Sequence, residues 1–330
     1  MPQLPGNSRR RLHDYQRYTG AMENLPIGIF DSGLGGLTVA REVSRSLPHE
    51  QIVYLGDTAR CPYGPRDLAE VREFVLEIGS WLELYPVKLI VVACNTATAA
   101  GLTLAQEVFD VPVLGVLEPG ARAAVQATRN RSIGVIGTGG TIDSGAYSRA
   151  VRALDAGVTV FSVAAPKFVD VVEAGLRMGP GTLEEWLAES AEVFIRPSFY
   201  EMARDYLDPL KRSGVDTLVL GCTHFPLLHA AIQQVMGAKV RLISSAEETA
   251  REVAQTLEAR GHLAPAAASR EPDRYLTTGD QEEFMRLGSR VMRRPITHAR
   301  HIELSELRQA VSADRRARAQ RDTLEEVPCD

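Results

Sequence analysis

Short apolar runs alternate along this chain with longer stretches in which apolar residues recur every three or four positions. The runs lie in IGIF (27–30), QIVYLG (51–56), VKLIVVA (87–93), VPVLGV (111–116), RSIGVIG (131–137), VDTLVLG (215–221), KVRLI (239–243) and DRYLTT (273–278). Continuous runs of this kind read as strands buried on both faces of a parallel sheet. The periodic stretches predict helices after the glycine loop at 33–36, over 67–84, from Asn95 to about Phe109, and from EPGARAAVQA, where Pro119 falls near the first turn. Further helices are predicted across 182–212 and over 226–236, 246–259 and 280–291, with a weak strand near 301–304.

One device occurs twice. In VKLIVVACNTAT the strand runs into Cys94, Asn95 and Thr96, and in VDTLVLGCTHFP an equivalent strand runs into Cys222, Thr223 and His224. Each is preceded by a strand, glycine loop and helix: PIGIFDSGLGGLTVAREV in the first half, RSIGVIGTGGTIDSGAY in the second. The first loop, with Gly33, Gly35 and Gly36, lacks the last glycine of a dinucleotide fingerprint because Thr38 stands there. Ile27 to Cys94 spans 67 residues and Ile133 to Cys222 spans 89, so the second half is a copy with an insertion, placed in the helical region 182–212.

The fold class expected is α/β: two similar flavodoxin-like domains with parallel sheets, related by a pseudo-twofold axis, with the active site in the cleft between them. Residues 24–116 plus 229–303 are expected to form the first domain and 117–228 the second. The segments 1–23 and 304–330 are charged, poor in apolar periodicity, and expected to be tails.

Composition narrows the function. A chain of 330 residues that is 45% hydrophobic and 24% charged has the makings of two cored domains. A formal charge of −5 does not suit binding of nucleic acid through a broad basic face. No apolar run reaches the roughly 18 residues of a membrane span, and the N-terminal segment has no apolar signal core. The expected location is the cytoplasm. Cys61, Cys94, Cys222 and Cys329 are too scattered for a zinc or thioredoxin-type motif, so they are expected as free thiols and no metal site is expected.

Cys94 closes a strand and opens a helix, where free N–H groups and the helix dipole are expected to make its thiol more acidic than a free one. Two thiols on opposite faces of a substrate suit removal of a proton from one side and delivery from the other, which is what inversion at carbon requires. Nearby carboxyl groups, Asp31 in the glycine loop and Glu173 in PKFVDVVEAG, are candidates to exchange protons with them, or else a helix cap and a surface charge. His224 beside Cys222 is a further candidate.

The segments IGIFDSGLGGLTV, DTARCPYG, VVACNTATA, GVLEPGARAA, GVIGTGGTIDSGAY and LVLGCTHFPLL, in that order across residues 25–260, resemble those of the glutamate racemases. These are cofactor-independent enzymes that supply D-glutamate for peptidoglycan, and GCTH rather than GCTE at the second cysteine favours glutamate over aspartate racemases. The resemblance implies that Cys94 acts on D-glutamate and Cys222 on the L enantiomer, with Asp31, His224 and Glu173 tuning the thiols. It implies a substrate site of Asp31, Ser32, Tyr63, Gly64, Asn95, Thr96, Thr223 and His224. It also implies no cofactor, L- or D-glutamate as the small-molecule partner, no nucleic acid or membrane, and a homodimer.

Two departures from the family pattern stand out. Ser244 occupies a position where members usually carry Asp, and Ala165-Pro166 one where Cys-Pro is frequent. Ser244 is expected to cap the helix that follows. Other chemistries fit less well. A pyridoxal enzyme needs a Schiff-base lysine, and Lys88, Lys167, Lys211 and Lys239 all lie away from the glycine loops and strand ends. The two cysteines lack the local partners of a redox or metal pair. A purely regulatory interaction protein, a role described for some relatives that act on DNA gyrase, would not need the intact site.

Overall fold

The computed structural model describes residues 22–178, 182–188, 198–266 and 270–325; the expected N-terminal tail up to residue 21 and Cys329 lie outside them. The first half runs β1 (Ile27–Asp31), α1 (Leu37–Ser46), β2 (Ile52–Gly56), α2 (Leu68–Leu84), β3 (Leu89–Val92), α3 (Asn95–Val108), β4 (Val113–Gly115) and α4 (Leu117–Ala127). The second runs β5 (Ser132–Gly137), α5 (Gly139–Asp143), α6 (Ala146–Leu154), β6 (Thr159–Ala164), α7 (Lys167–Met178), α8 (Leu183–Ala188), α9 (Ser198–Arg212), β7 (Thr217–Gly221), α10 (His229–Met236), β8 (Arg241–Ser244) and α11 (Ser245–Arg260). The chain closes with β9 (Arg274–Thr277), α12 (Gln281–Met292), β10 (Ala299–His301) and α13 (Leu304–Glu325).

The strands pair in two parallel sheets, ordered β10-β9-β2-β1-β3-β4 and β6-β5-β7-β8. The segment β2-β1-β3-β4 of the first repeats as β6-β5-β7-β8 in the second, so the duplication seen in the sequence is a duplication of topology. In each half the chain winds outward in opposite directions from the central pair, β1 with β3 and β5 with β7. Ligands of open parallel sheets collect outside the carboxyl ends of such a pair. The glycine loops leave β1 and β5 there, and Cys94 and Cys222 leave β3 and β7 there.

The central strands β1, β2, β3 and β7 are buried along their whole length, as their unbroken apolar runs require. Polar groups fix the ends of elements. The Asp67 carboxylate caps α2 by accepting from the Ala69 N–H at 2.6 Å, and Asp280 caps α12 by accepting from the Glu283 N–H at 2.6 Å. Lys88, fully buried, pairs with Glu50 and donates to the carbonyls of Glu23 and His262, each at 2.8 Å, which ties down the chain entering β1 and leaving α11.

Three expectations are corrected. The boundary at 228 put all of 229–303 in the first domain, but Arg241–Ser244 pairs in register with β7 in the second sheet. It is the fourth strand of the repeat, the counterpart of β4, and strands rejoin the first sheet only at β9. The segment from 304 is no free tail: it forms α13, which packs on α2 and buries Leu307 completely and Ala310 almost so. Ser244 stands at the N-cap position of α11 without a side-chain capping bond, so its expected role is not the one it plays. Ala165 is fully buried at the end of β6, its N–H donating to the Gly137 carbonyl at 2.8 Å.

Candidate active site

Asp31 ends β1 and is fully buried. Its carboxylate accepts from the Gly33 N–H at 3.0 Å and the Thr223 hydroxyl at 3.4 Å, joining the glycine loop of the first half to the cysteine loop of the second. The Thr38 hydroxyl on α1 reinforces the junction from 3.0 Å of the Thr223 carbonyl. The two loops touch so closely that a Cβ on Gly35 would lie 2.4 Å from Thr223 Oγ1 and 2.5 Å from His224 Nδ1. Glycine is required there by contact.

Cys94 occupies the N-cap position of α3 with extended backbone, its sulfur 3.8 Å from Ser32 Oγ. On the other wall the Cys222 sulfur lies 3.7 Å from His224 Nδ1, and His224 Nε2 lies 3.6 Å from Glu173 Oε1 on α7. That second separation is an ion pair and too long for a hydrogen bond. Arg177, one turn along α7, stands 3.6 Å from the other oxygen of Glu173 and donates to Glu283 of α12 at 3.0 Å.

Both sulfurs open onto one narrow cleft. Ser32, Tyr63, Gly64, Asn95, Thr96, Thr223 and His224 line it with the two cysteines. Asp31 and Glu173 do not; they stand behind the lining and act through it. Tyr63 presents its ring and backbone, since its hydroxyl donates to the Asp57 carboxylate. That carboxylate also accepts from the Thr278 hydroxyl at 2.7 Å and pairs with Arg60 at 2.6 Å.

The cleft also contains residues the sequence reading passed over: Cys61, Pro62, Thr138 and Val169. Cys61 and Pro62 lie inside the DTARCPYG motif, a strand-end loop rich in proline and glycine of the kind that more often carries function than core. Thr138 belongs to the second glycine loop. Its hydroxyl lies 2.9 Å from Thr96 Oγ1 and 3.1 Å from Thr141 Oγ1, bridging the halves. Among the described residues no group of three His, Cys, Asp or Glu side chains is arranged to hold a metal ion.

The thiols sit in unlike electrostatic settings. Burial, and then the Asp31 carboxylate, push the Cys94 thiol up to about 12, so the expectation of an acidified cysteine is reversed. The helix N-terminus and Ser32 act the other way, but in a water-poor cleft desolvation and a neighbouring negative charge outweigh them. Burial and the carboxylates of Glu173 and Asp31 likewise raise Cys61. Burial works to neutralise His224, yet its contacts with Cys222 and Glu173 prevail and lift it to about 10, so the imidazole is protonated at neutral pH. Glu173 is correspondingly lowered, chiefly by His224, against the opposing effect of its own burial.

The Asp/Glu/Hydantoin racemase family matches over residues 37–253. The glutamate racemase of Bacillus cereus is 45% identical over 281 residues, covering 85% of this chain and 98% of that protein. Glutamate racemase isoform RacE1 from Bacillus anthracis superposes with a TM-score of 0.76 at 42% identity, covering 86% of this chain and 98% of the other. The glutamate racemase of Francisella tularensis, solved in complex with D-glutamate, superposes with a TM-score of 0.74 at 28% identity, covering 86% and 98%.

Proposed function

The chain belongs to the glutamate racemases of the Asp/Glu/Hydantoin racemase family, and from that premise we propose that it interconverts L- and D-glutamate with Cys94 and Cys222 as its two proton-transfer groups. The observation that carries this reading is the position of the sulfurs. They follow equivalent strands, β3 and β7, of the four-strand unit repeated in the two sheets, and both face one cleft. A planar carbanion held between them can be protonated on either face.

With L-glutamate bound, the Cys222 thiolate takes the α-proton and the Cys94 thiol gives its own proton to the opposite face, leaving Cys94 as thiolate and Cys222 as thiol. D-glutamate runs the same steps backwards. The protonated His224 beside Cys222 is a partner for the charge on that sulfur, and Glu173 holds His224 in this form. The raised pKa of Cys94 suits a group that rests as a proton donor. For the reverse reaction it must become a base, and the ammonium group of the substrate, drawn to Asp31, offsets the negative charge that helps to raise it. Ser32, Thr96 and the Asn95 amide supply hydroxyl and N–H donors to the substrate carboxylates, while the Thr223 hydroxyl is given to Asp31.

The reading extends to a cytoplasmic enzyme supplying D-glutamate for peptidoglycan, supported by the free thiols Cys61, Cys94 and Cys222 and by the absence, among the described residues, of any helix long and apolar enough to cross a membrane. It extends also to a homodimer, which light scattering on the purified protein would test.

Circular dichroism of L- or D-glutamate incubated with metal-free and pyridoxal-free protein tests the activity. The two enantiomers have equal free energy, so kcat/KM is necessarily the same in both directions and cannot assign the thiols. Isotope labelling can. In early turnover in D₂O, newly formed product is expected to carry deuterium at Cα while unreacted substrate stays largely protiated, the pattern of two separate acid/base groups. Equal labelling of substrate and product, or near-normal inversion by Cys94→Ala, would rule the two-thiol scheme out.

A further inference from the structure

Asn95 is 3% exposed and lines the cleft, and among the described residues its amide nitrogen Nδ2 is buried without a hydrogen-bond partner. The other end of the same amide is occupied: Oδ1 accepts from the Tyr147 hydroxyl at 2.8 Å. Tyr147 stands on α6 in the opposite half of the molecule, in the GAY end of the second glycine-loop motif, and is 2% exposed. It is wedged in place. A Cβ on Gly221 would come within 2.9 Å of its ring, and one on Gly120 within 3.4 Å of its hydroxyl. Burial, and then the charge of Glu118, raise its pKa, so the hydroxyl keeps its proton and remains a donor.

A primary amide has a donor end and an acceptor end of nearly equal shape, and a fixed donor facing it decides which way it points. We propose that Tyr147 is a positioning residue that sets the polarity of Asn95, so that the cleft meets the substrate with an N–H donor and not with the amide oxygen. This rests on the reading of the cleft as a glutamate site. A carboxylate can only accept hydrogen bonds, whereas a carboxamide can be held by either end of an amide free to turn over. The lock therefore makes Asn95 demand an oxygen at that position: either carboxylate oxygen satisfies it, whereas a carboxamide does so only when turned with its carbonyl oxygen toward Nδ2. Both carboxylates of glutamate share this chemistry, so the α-amide and the γ-amide are the two probes that separate them.

Tyr147→Phe keeps the ring and removes the hydroxyl. It is expected to raise KM for both enantiomers on the order of tenfold, the share of one lost oriented hydrogen bond, with kcat changed by less than about threefold. The preference for glutamate over one of the two amides as competitive inhibitor is expected to fall. In an Asn95→Ala background, Tyr147→Phe is expected to add nothing, because it acts only through that amide. Asn95→Asp supplies a check that leaves Tyr147 untouched should Tyr147→Phe fold poorly: it keeps an acceptor for the hydroxyl and puts oxygen where the N–H was, so KM should rise further than in Asn95→Ala. An unchanged KM in Tyr147→Phe, or effects of the two substitutions that simply multiply, would overturn the positioning role. An unchanged KM in Asn95→Ala would overturn the assignment of Asn95 to the substrate and this inference with it. Absence of racemisation by the wild type would instead overturn the larger reading.

Discussion

Glu173 and His224 face one another across 3.6 Å, carboxylate oxygen to imidazole Nε2, while the opposite nitrogen of the same ring meets the Cys222 sulfur at 3.7 Å. The pair predicts a pH dependence of stability. His224 is raised on folding, from the ordinary value near 6.5 to about 10. Its contribution is therefore fully present below about 6.5 and is lost progressively as pH climbs through about 10. Glu173 is lowered, so its share is lost at the acid end, as pH falls through its folded value. Glu173→Gln is expected to cost about 1–3 kcal/mol near pH 6, discounted for the partial exposure of the carboxylate, and the gap from wild type should close toward pH 10. Urea melts of both proteins across pH 5–10, as a rough working range, would show it; a gap that widens with pH would contradict the assignment.

Asp31 adds to the raised pKa of Cys94 by its charge. At pH 8 a thiol of pKa about 12 is thiolate in roughly one molecule in ten thousand, so iodoacetamide should label Cys94 slowly in the free protein. Asp31→Asn removes the repelling charge, lowers the pKa, and should speed labelling at least about threefold while impairing turnover. Mass spectrometry of the Cys94 peptide gives the rate. Slower labelling in the variant would mean that Asp31 acts on Cys94 in some other way.

The docking of α13 makes the segment from Leu304 part of the folded body. Leu307 is fully buried against α2, and Leu307→Ala should cost about 2–4 kcal/mol in a chemical melt. Truncation before Leu304 should cost more and lower the yield of active protein.

Ser244 begins α11 with no capping bond from its side chain. Ser244→Asp brings a carboxylate that can accept from the free N–H groups of the first turn and interact with the helix dipole. It should stabilise the protein by about 0.5–1 kcal/mol and leave kcat unchanged. A tenfold rise in kcat would show that the new carboxylate reaches the substrate.

The buried strands and the two cysteines were plain in the chain because unbroken apolar runs and a repeated strand-end pattern are local signals. Contacts between distant segments were not. The membership of Arg241–Ser244 in the second sheet depends on pairing with β7 and has no local mark. The apolar positions Leu304, Leu307 and Ala310 do keep helical spacing, but the charged residues around them hide it. The sign of the Cys94 shift was missed for a related reason. A helix terminus can be seen in sequence, whereas the dryness of a cleft and a carboxylate 63 residues earlier in the chain cannot. Thr138 and Tyr147 lie inside a glycine-rich motif, and only the fold shows them reaching Thr96 and Asn95.

Those reaches belong to a set of bonds that rivet one wall of the cleft to the other. Gly140 N–H donates to the Gly64 carbonyl at 2.9 Å, Thr138 meets Thr96, Tyr147 meets Asn95, and Thr38 meets Thr223. If glutamate enters across this seam, some of these bonds part before it is admitted. The rate of capture then counts how often the two halves come apart, not how often molecules collide, and should slow in a viscous solvent by more than diffusion of so small a ligand would explain.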